Sequence, residues 1–485
     1  MTDRPLWTVE AMVAAMRAMA AGPLPAAVPG ISIDTRTIAP GEAFFAIKGD
    51  SRDGHDFVAA ALEAKAGLAV VAADRRDGLP ADAPLLVVPD AFAGLRELAA
   101  AARTRTRAKI VAVTGSVGKT SSKEALRLTL GRNGATHASV ASYNNHWGVP
   151  LSLARCPQNV AYAVFEIGMN HAGEIEPLTR LVRPHVVIVT TVEPVHLEFF
   201  HSVEAIADAK AEIFLGLERG GAAVLNCDNP QFARLERSAA RAGVDRIVSF
   251  GEHARADARL IKCALQSDSS TVQARILGAD VTYKIGAPGR HLVTNSLAVL
   301  AAAVLMGADL ALAALALSEL QPASGRGTRV ALDLPGGTAL LIDESYNANP
   351  ASMRAALALL GQAEIGPRGR RVAVLGDMLE LGPRGGDLHR ELAMAVLAHG
   401  IDLVFCCGPL MRALWEALPS SRQGGYAETS SALEPHVLAA IHQGDAIMIK
   451  GSLGSRMAPI VKALQKRYRS ATPGAARAQV STMNG

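Results

Sequence analysis

The chain predicts an α/β architecture: three domains, each built on a mainly parallel sheet. Three observations lead there. Short β-branched or apolar runs alternate with longer Ala/Leu-rich helical stretches, the pattern of layered α/β units. The length of 485 residues is about three domains at roughly 150 residues each. Side chains able to do chemistry fall repeatedly at or just after the runs that read as strands: Thr114, Glu166, His196, Asp343, Asp377 and Lys450. In open α/β sheets, ligands sit outside the carboxyl ends of the strands.

Taken in order, the first hundred residues read as a small α/β unit with strands at 30–34, 43–47 and 68–72. A helix at 95–107 ends in scattered arginines and leads into a strand at 109–114, where the first domain boundary falls. Strands follow at 161–167, 185–191 and 222–226, with a helix at 203–217, and an Ala-rich helix after Asn295 closes the middle region. The Gly/Pro-containing connection 321–327 marks the second boundary. Beyond it come strands at 339–343, 371–375, 403–407 and 446–450. The domains therefore run 1–105, 106–322 and 323–470, and the small, polar stretch 471–485 is expected to trail as a disordered tail.

Composition narrows the function. Hydrophobic residues make up 49% and charged ones 19%, so the chain can bury a core and fold. Lys+Arg of 49 against Asp+Glu of 45 leaves +4, spread along the chain. That excludes a broad basic face for nucleic acid, though local patches can still hold phosphates. The five cysteines, Cys156, Cys227, Cys263, Cys406 and Cys407, form no CxxC pair and read as free thiols of a reducing cytoplasm. Asp3, Glu10 and Arg17 interrupt the N-terminal apolar pieces, unlike a signal peptide. The most apolar stretch, 297–308, stops at Asp309. It is shorter than the roughly 20 residues a bilayer requires, so no membrane insertion is expected.

The sharpest local signal is Thr114-Gly115-Ser116-Val117-Gly118-Lys119-Thr120 between a strand and a helix. Such a loop aims backbone N–H groups and a helix N-terminus at phosphates. Lys119 would reach the β/γ-phosphates, and the Thr120 hydroxyl would ligate Mg²⁺. It is the shorter TGxxGKT form, with Val113 in the first glycine position of the general pattern. A bound triphosphate needs hard oxygen ligands for its metal. Glu166 at a strand end is the first candidate and His196, beyond the next strand, the second; Lys210, on the 203–217 helix, is an ordinary surface lysine on spacing alone.

TGSVGKTSSKEAL, then Tyr143-Asn144-Asn145-His146-Trp147-Gly148-Val149-Pro150-Leu151, then Phe165-Glu166-Ile167-Gly168-Met169-Asn170, together resemble the Mur ligases. Asp343-Glu344-Ser345-Tyr346-Asn347-Ala348-Asn349-Pro350 and Leu375-Gly376-Asp377-Met378-Leu379-Glu380-Leu381-Gly382 are the most specific segments; Asp34-Thr35-Arg36 and Asp53-Gly54-His55 extend the likeness to the N-terminal region. The resemblance implies an ATP- and Mg²⁺-dependent amide ligase that adds D-alanyl-D-alanine to UDP-N-acetylmuramoyl-tripeptide through an acyl phosphate, in peptidoglycan precursor synthesis. It also implies an N-terminal domain for the UDP-sugar, a central P-loop ATPase-type domain and a Rossmann-like C-terminal domain, in a cytoplasmic monomer.

Carried onto this chain, the resemblance puts the 114–120 loop, Asn295, Arg326 and the acidic pair Asp343-Glu344 on the nucleotide, with Asn295 at the adenine and Arg326 at the γ-phosphate. Thr120, Glu166 and His196 become metal ligands. Lys119, Lys210, His196 and Arg326 become catalytic, Lys210 standing where several members carbamylate a lysine. Thr35, Arg36, Tyr143, Asn144, Asn145, Tyr346, Asn347 and Asn349 are expected on the substrates. Either His196 or His146 could take the proton of the attacking amine. Two departures stand out: Glu344 where the family usually has a second aspartate, and Leu453 where it often has an arginine. The rival readings are another Mur ligase, a folylpolyglutamate synthase and a non-catalytic nucleotide-binding switch.

Overall fold

The computed structural model describes residues 5–49, 52–140, 142–195 and 197–468. His196 and the tail at 471–485 lie outside the described residues. Three main sheets organise the chain. The N-terminal lobe holds β1 (Met19–Ala21), β2 (Ile31–Ser32), β3 (Ala43–Phe45), β4 (Leu68–Ala72) and β5 (Leu85–Val88) in the order β1-β5-β4-β3-β2, parallel except for β1. Helix α1 (Ala91–Arg105), capped by the Asp90 carboxylate, leads out of it.

The central lobe holds β6 (Lys109–Thr114), β7 (Thr136–Ala138), β8 (Tyr162–Glu166), β9 (Val186–Val189), β10 (Ala222–Asn226), β11 (Arg246–Gly251), β12 (Ala258–Leu265), β13 (Ser270–Ile276) and β14 (Ala279–Ile285). Their order is β14-β13-β12-β11-β10-β9-β6-β8-β7. β6 runs parallel between β8 and β9, with Val111 beside Val164 and Val186. Strands buried on both faces are continuous apolar runs, which is why 109–114, 162–166 and 186–189 are legible from sequence.

The chain differs from the sequence expectation at the far edge of this sheet, where β12, β13 and β14 form an antiparallel meander. β13 alternates buried and exposed residues, a half-solvated pattern in which Gln273 and Arg275 mask the strand signal. Leu277 and Gly278 both have positive φ and make the two-residue turn between β13 and β14. After α3 (Ile175–Val182), the expected helix at 203–217 is shorter: α4 (Val203–Ala211) continues only as a 3₁₀ segment, Glu212–Gly216.

The C-terminal lobe orders β15 (Thr328–Leu334), β16 (Gly337–Glu344), β17 (Arg371–Gly376), β18 (Leu403–Cys407), β19 (Gln423–Ala427) and β20 (Ala446–Lys450) as β15-β16-β20-β17-β18-β19. Only the β15–β16 pair is antiparallel.

Helix α5 (Arg290–Leu305) explains the apolar stretch. Leu297 through Ala303 are all fully buried against the central sheet, so the helix is apolar all round because it is enclosed by protein. Among the described residues no helix is long and apolar enough to cross a membrane. The lobes are knitted at two seams. Trp7 Nε1 donates to the Ala154 carbonyl at 2.9 Å, and the Arg105 guanidinium stacks 3.3 Å from the Trp7 ring centre. On the other side Arg326 NH2 donates to Ser142 Oγ at 3.2 Å, and Glu198 N donates to the Glu380 carbonyl.

Candidate active site

β6 delivers the chain to the loop at Thr114, and α2 (Lys119–Gly131) carries it away. The turn between them needs glycine twice. Gly115 (φ 144°) and Gly118 (φ 86°) lie in the left-handed region; an added Cβ would overlap the Thr190 hydroxyl at the first and the Asn295 amide at the second. The loop is braced from the segment after β9: Thr190 Oγ1 donates to the Val117 carbonyl at 2.6 Å, and Ser116 N donates to the Thr191 carbonyl at 2.8 Å. Among the described residues no side chain caps the start of α2, which leaves its first amides and helix dipole available to an anion.

Around this loop a cleft of about 540 Å³ opens between the central and C-terminal lobes. Ser116, Val117, Gly118, Lys119, Thr120, Asn144, Glu166, Asn295, Arg326, Tyr346, Asn347 and Asn349 all line it. The Lys119 ammonium donates to the Gly115 carbonyl at 2.6 Å. Burial lowers its pKa, Glu166 partly opposes that, and Arg326 adds to the lowering. Thr120 Oγ1 donates to Glu166 Oε2 at 2.9 Å, and Asn144 Nδ2 donates to Oε1 at 2.6 Å. Ser142 then links the two lobes, its hydroxyl 3.2 Å from Thr120 Oγ1 and accepting from Arg326. The Arg326 guanidinium lies over the Tyr346 ring, 4.0 Å from its centre, which fixes its plane.

Lys210, on α4, is buried. Desolvation pushes its pKa well below the ordinary lysine value and the nearby Lys119 charge pushes it the same way. Its amine is therefore biased toward the neutral, nucleophilic form.

Other expected residues are placed differently. Thr114 is buried, its carbonyl accepting from Thr190 N and its hydroxyl, among the described residues, without a partner. Asp343 turns inward: its carboxylate accepts from Ser345 N and Oγ, while Glu344 faces the cleft and pairs with the buried Lys450 at 3.1 Å. The strand alternation of β16 sends successive side chains to opposite faces, which decides between the two acids. Thr35 and Arg36 belong to the N-terminal lobe outside this cleft, with Arg36 paired to Asp34 at 2.6 Å. That pairing and, more weakly, Tyr143 raise the Arg36 pKa. Asn145 Oδ1 holds Gly148 N at 2.9 Å, and His146 packs edge-on against Phe92, away from the cleft residues.

Sequence reasoning passed over Ser142, Glu193 and His291 as cleft residues. His291 was findable in principle, since it stands four residues before Asn295 and shares its helix face. Its pKa is lowered by desolvation, with Glu344 opposing and Lys450 reinforcing. Among the described residues no group of three or more His, Cys, Asp or Glu side chains is placed to hold a metal. The hard oxygen pair of Thr120 and Glu166, beside a phosphate loop, nevertheless suits Mg²⁺, which takes one or two carboxylates and completes its shell with phosphate and water.

The Mur ligase middle domain model matches residues 113–303, the glutamate ligase domain model 325–453 and the Mur ligase catalytic domain model 27–105. The chain belongs to the Mur ligase family. Within it, the chain is 35% identical over 438 residues to the UDP-N-acetylmuramoyl-tripeptide–D-alanyl-D-alanine ligase of Escherichia coli, covering 90% of this chain and 93% of that one. The ligase of the same name from Rickettsia prowazekii is 31% identical, over 89% of this chain and 94% of its own. The crystal structure of MurF from Acinetobacter baumannii superposes with a TM-score of 0.82 at 29% identity, covering 96% of this chain and all of that one.

Proposed function

We propose that this chain is an ATP-dependent amide ligase that adds D-alanyl-D-alanine to UDP-N-acetylmuramoyl-tripeptide in peptidoglycan precursor synthesis. The observation that carries the reading is convergence: a phosphate loop, the Thr120–Glu166 oxygen pair and Arg326 from the C-terminal lobe meet in one cleft. A nucleotide switch has no need of an arginine delivered from a third lobe. The relatives at 31% and 35% identity, whose names give this activity, supply the substrates.

A carboxylate and an amine do not join in neutral water, because hydroxide is a poor leaving group. In the reading here the tripeptide carboxylate attacks the γ-phosphorus, ADP leaves, and the amine displaces phosphate from the resulting acyl phosphate. Two anions must meet, so cationic side chains act where charge builds up. Lys119 neutralises the β/γ-phosphate oxygens, and Arg326, its plane set by Tyr346, does so from the opposite wall. Asn295, packed on Gly118, sits at the nucleotide side of the loop, with Tyr346, Asn347 and Asn349 on the facing lobe. Thr120 and Glu166, joined in the family by His196, would hold a Mg²⁺ whose chemistry is to screen phosphate charge. Lys210 stands where several members of the family carbamylate a lysine, and its depressed pKa favours the neutral amine that such a modification requires. Thr35, Arg36, Tyr143 and Asn145 mark the route of the UDP-precursor from the N-terminal lobe to the cleft.

Five free cysteines and the use of a soluble nucleotide precursor support a cytoplasmic enzyme, and a cleft completed within one chain supports a working monomer. The deciding experiment measures phosphate release with UDP-N-acetylmuramoyl-tripeptides carrying either common diamino acid, with and without D-alanyl-D-alanine. Release that requires both substrates is expected; ATP hydrolysis indifferent to them would overturn the reading in favour of a nucleotide switch.

A further inference from the structure

Four carboxylates line the cleft: Glu124, Glu166, Glu193 and Glu344. Three are already engaged. Glu124 pairs with Lys123 and Arg127, Glu166 accepts from Thr120 and Asn144, and Glu344 pairs with Lys450. Glu193 differs. Among the described residues its carboxylate has a single partner, the Thr191 hydroxyl, which donates to Oε1 at 3.1 Å.

The residue is nonetheless held firmly. Ser116 Oγ accepts from Glu193 N at 2.9 Å and donates to the Glu193 carbonyl at 3.2 Å, fastening its backbone to the phosphate loop. Asn229 Nδ2 donates to Thr191 Oγ1 at 2.9 Å and to the Val192 carbonyl at 2.9 Å, fixing the one side chain that orients the carboxylate. A carboxylate is thus pinned beside the loop that carries the reacting phosphoryl group, with one oxygen left over.

Such a group repels both anionic reactants, the triphosphate and the tripeptide carboxylate. The reaction has one cationic reactant, the dipeptide's α-ammonium, which with a pKa of about 8 is mostly protonated at neutral pH and cannot attack in that form. Resting on the ligase reading above, we infer that Glu193 receives this ammonium and is the base that frees it. One proton passes from nitrogen to a Glu193 oxygen, and the released lone pair forms the C–N bond at the acyl carbon. The tetrahedral intermediate collapses by breaking the C–O bond to phosphate, which leaves with that electron pair and takes the second proton shed by nitrogen.

Hydroxylamine tests this, because it is uncharged at neutral pH and attacks acyl phosphates without a base. With UDP-tripeptide and ATP, the wild-type enzyme should form amide with D-alanyl-D-alanine and hydroxamate with hydroxylamine; forming neither would sink the ligase reading itself. In Glu193→Gln, amide formation should fall about a hundredfold while hydroxamate formation stays within about threefold, as for loss of a general base. Glu193→Asp, which keeps the charge on a shorter arm, should recover part of the dipeptide rate and none of the difference in hydroxamate. Equal losses with both nucleophiles would place Glu193 on the nucleotide or its metal and overturn the inference. So would a dipeptide rate left intact in both variants.

Discussion

Lys119, Arg326 and Lys210 are three basic residues in different surroundings. Lys119 is tethered to Gly115 within its own loop, so Lys119→Ala should lower ATP-dependent turnover by about a thousandfold or more, the scale of losing a main electrostatic contact in the transition state. Ligase assays showing near-normal rates would contradict the phosphate-loop assignment. Arg326 comes from the other lobe, bonded to Ser142 across the cleft and stacked on Tyr346. Arg326→Ala should cut kcat by about 10³-fold, as for an arginine supplied to a transferring phosphoryl group, while KM for the UDP-precursor barely moves; the opposite split would put Arg326 on the precursor. Lys210 is a liability to the fold. Its folded-state pKa is depressed, so the unfolded chain binds more protons and stability rises with pH toward the ordinary lysine value. At neutral pH, in bicarbonate-free buffer, Lys210→Met should therefore melt about 2–4 °C higher while losing ligase activity. A lower melting temperature would reveal an anionic partner for Lys210.

At the scale of elements, local rules explain much. Asn349-Pro350-Ala351-Ser352 starts α6 (Pro350–Gly361) with a reciprocal capping box and proline in the first turn, so a signature segment doubles as a helix start. The loop–helix junction at Gly118 is equally constrained, and Gly118→Ala should disturb both the left-handed turn and the Asn295 amide. Nucleotide affinity should drop about tenfold or more, 1.4 kcal/mol per decade, as read by ADP titration; unchanged affinity would mean that the loop relaxes freely. The parallel strands were legible because burial on both faces makes them unbroken apolar runs. The β12–β14 meander was not, because one face is wet and polar residues alternate along it. Its placement also depends on continuing a sheet laid down more than a hundred residues earlier by β6.

At the scale of the whole molecule, desolvated histidines should make stability depend on pH. His389 is fully buried, Nδ1 bonded to the Gly385 carbonyl at 2.6 Å and Nε2 accepting from Met378 N at 2.9 Å. Burial lowers its pKa from 6.5, so below that value the unfolded state takes up the proton first. Stability should then fall as pH drops below 6.5, by up to about 1.4 kcal/mol per pH unit from this one site. His137 and His185, also depressed by desolvation, act in the same sense. Denaturant midpoints from pH 7 to pH 5 would check this, and His389→Gln should flatten the slope.

Sequence alone determined the alternating α/β pattern, the glycine-rich loop at 114–120, the strand-end position of Glu166 and the family, because each is written in contiguous residues whose local chemistry is self-sufficient. What only the tertiary structure decided is which side chains share the cleft. Strand alternation turned Glu344 rather than Asp343 toward it, lobe packing set Arg326 on Ser142, and sheet order brought the segment after β9 against the loop. Those choices rest on contacts between residues far apart in the chain, and no short window of sequence contains both halves of such a contact.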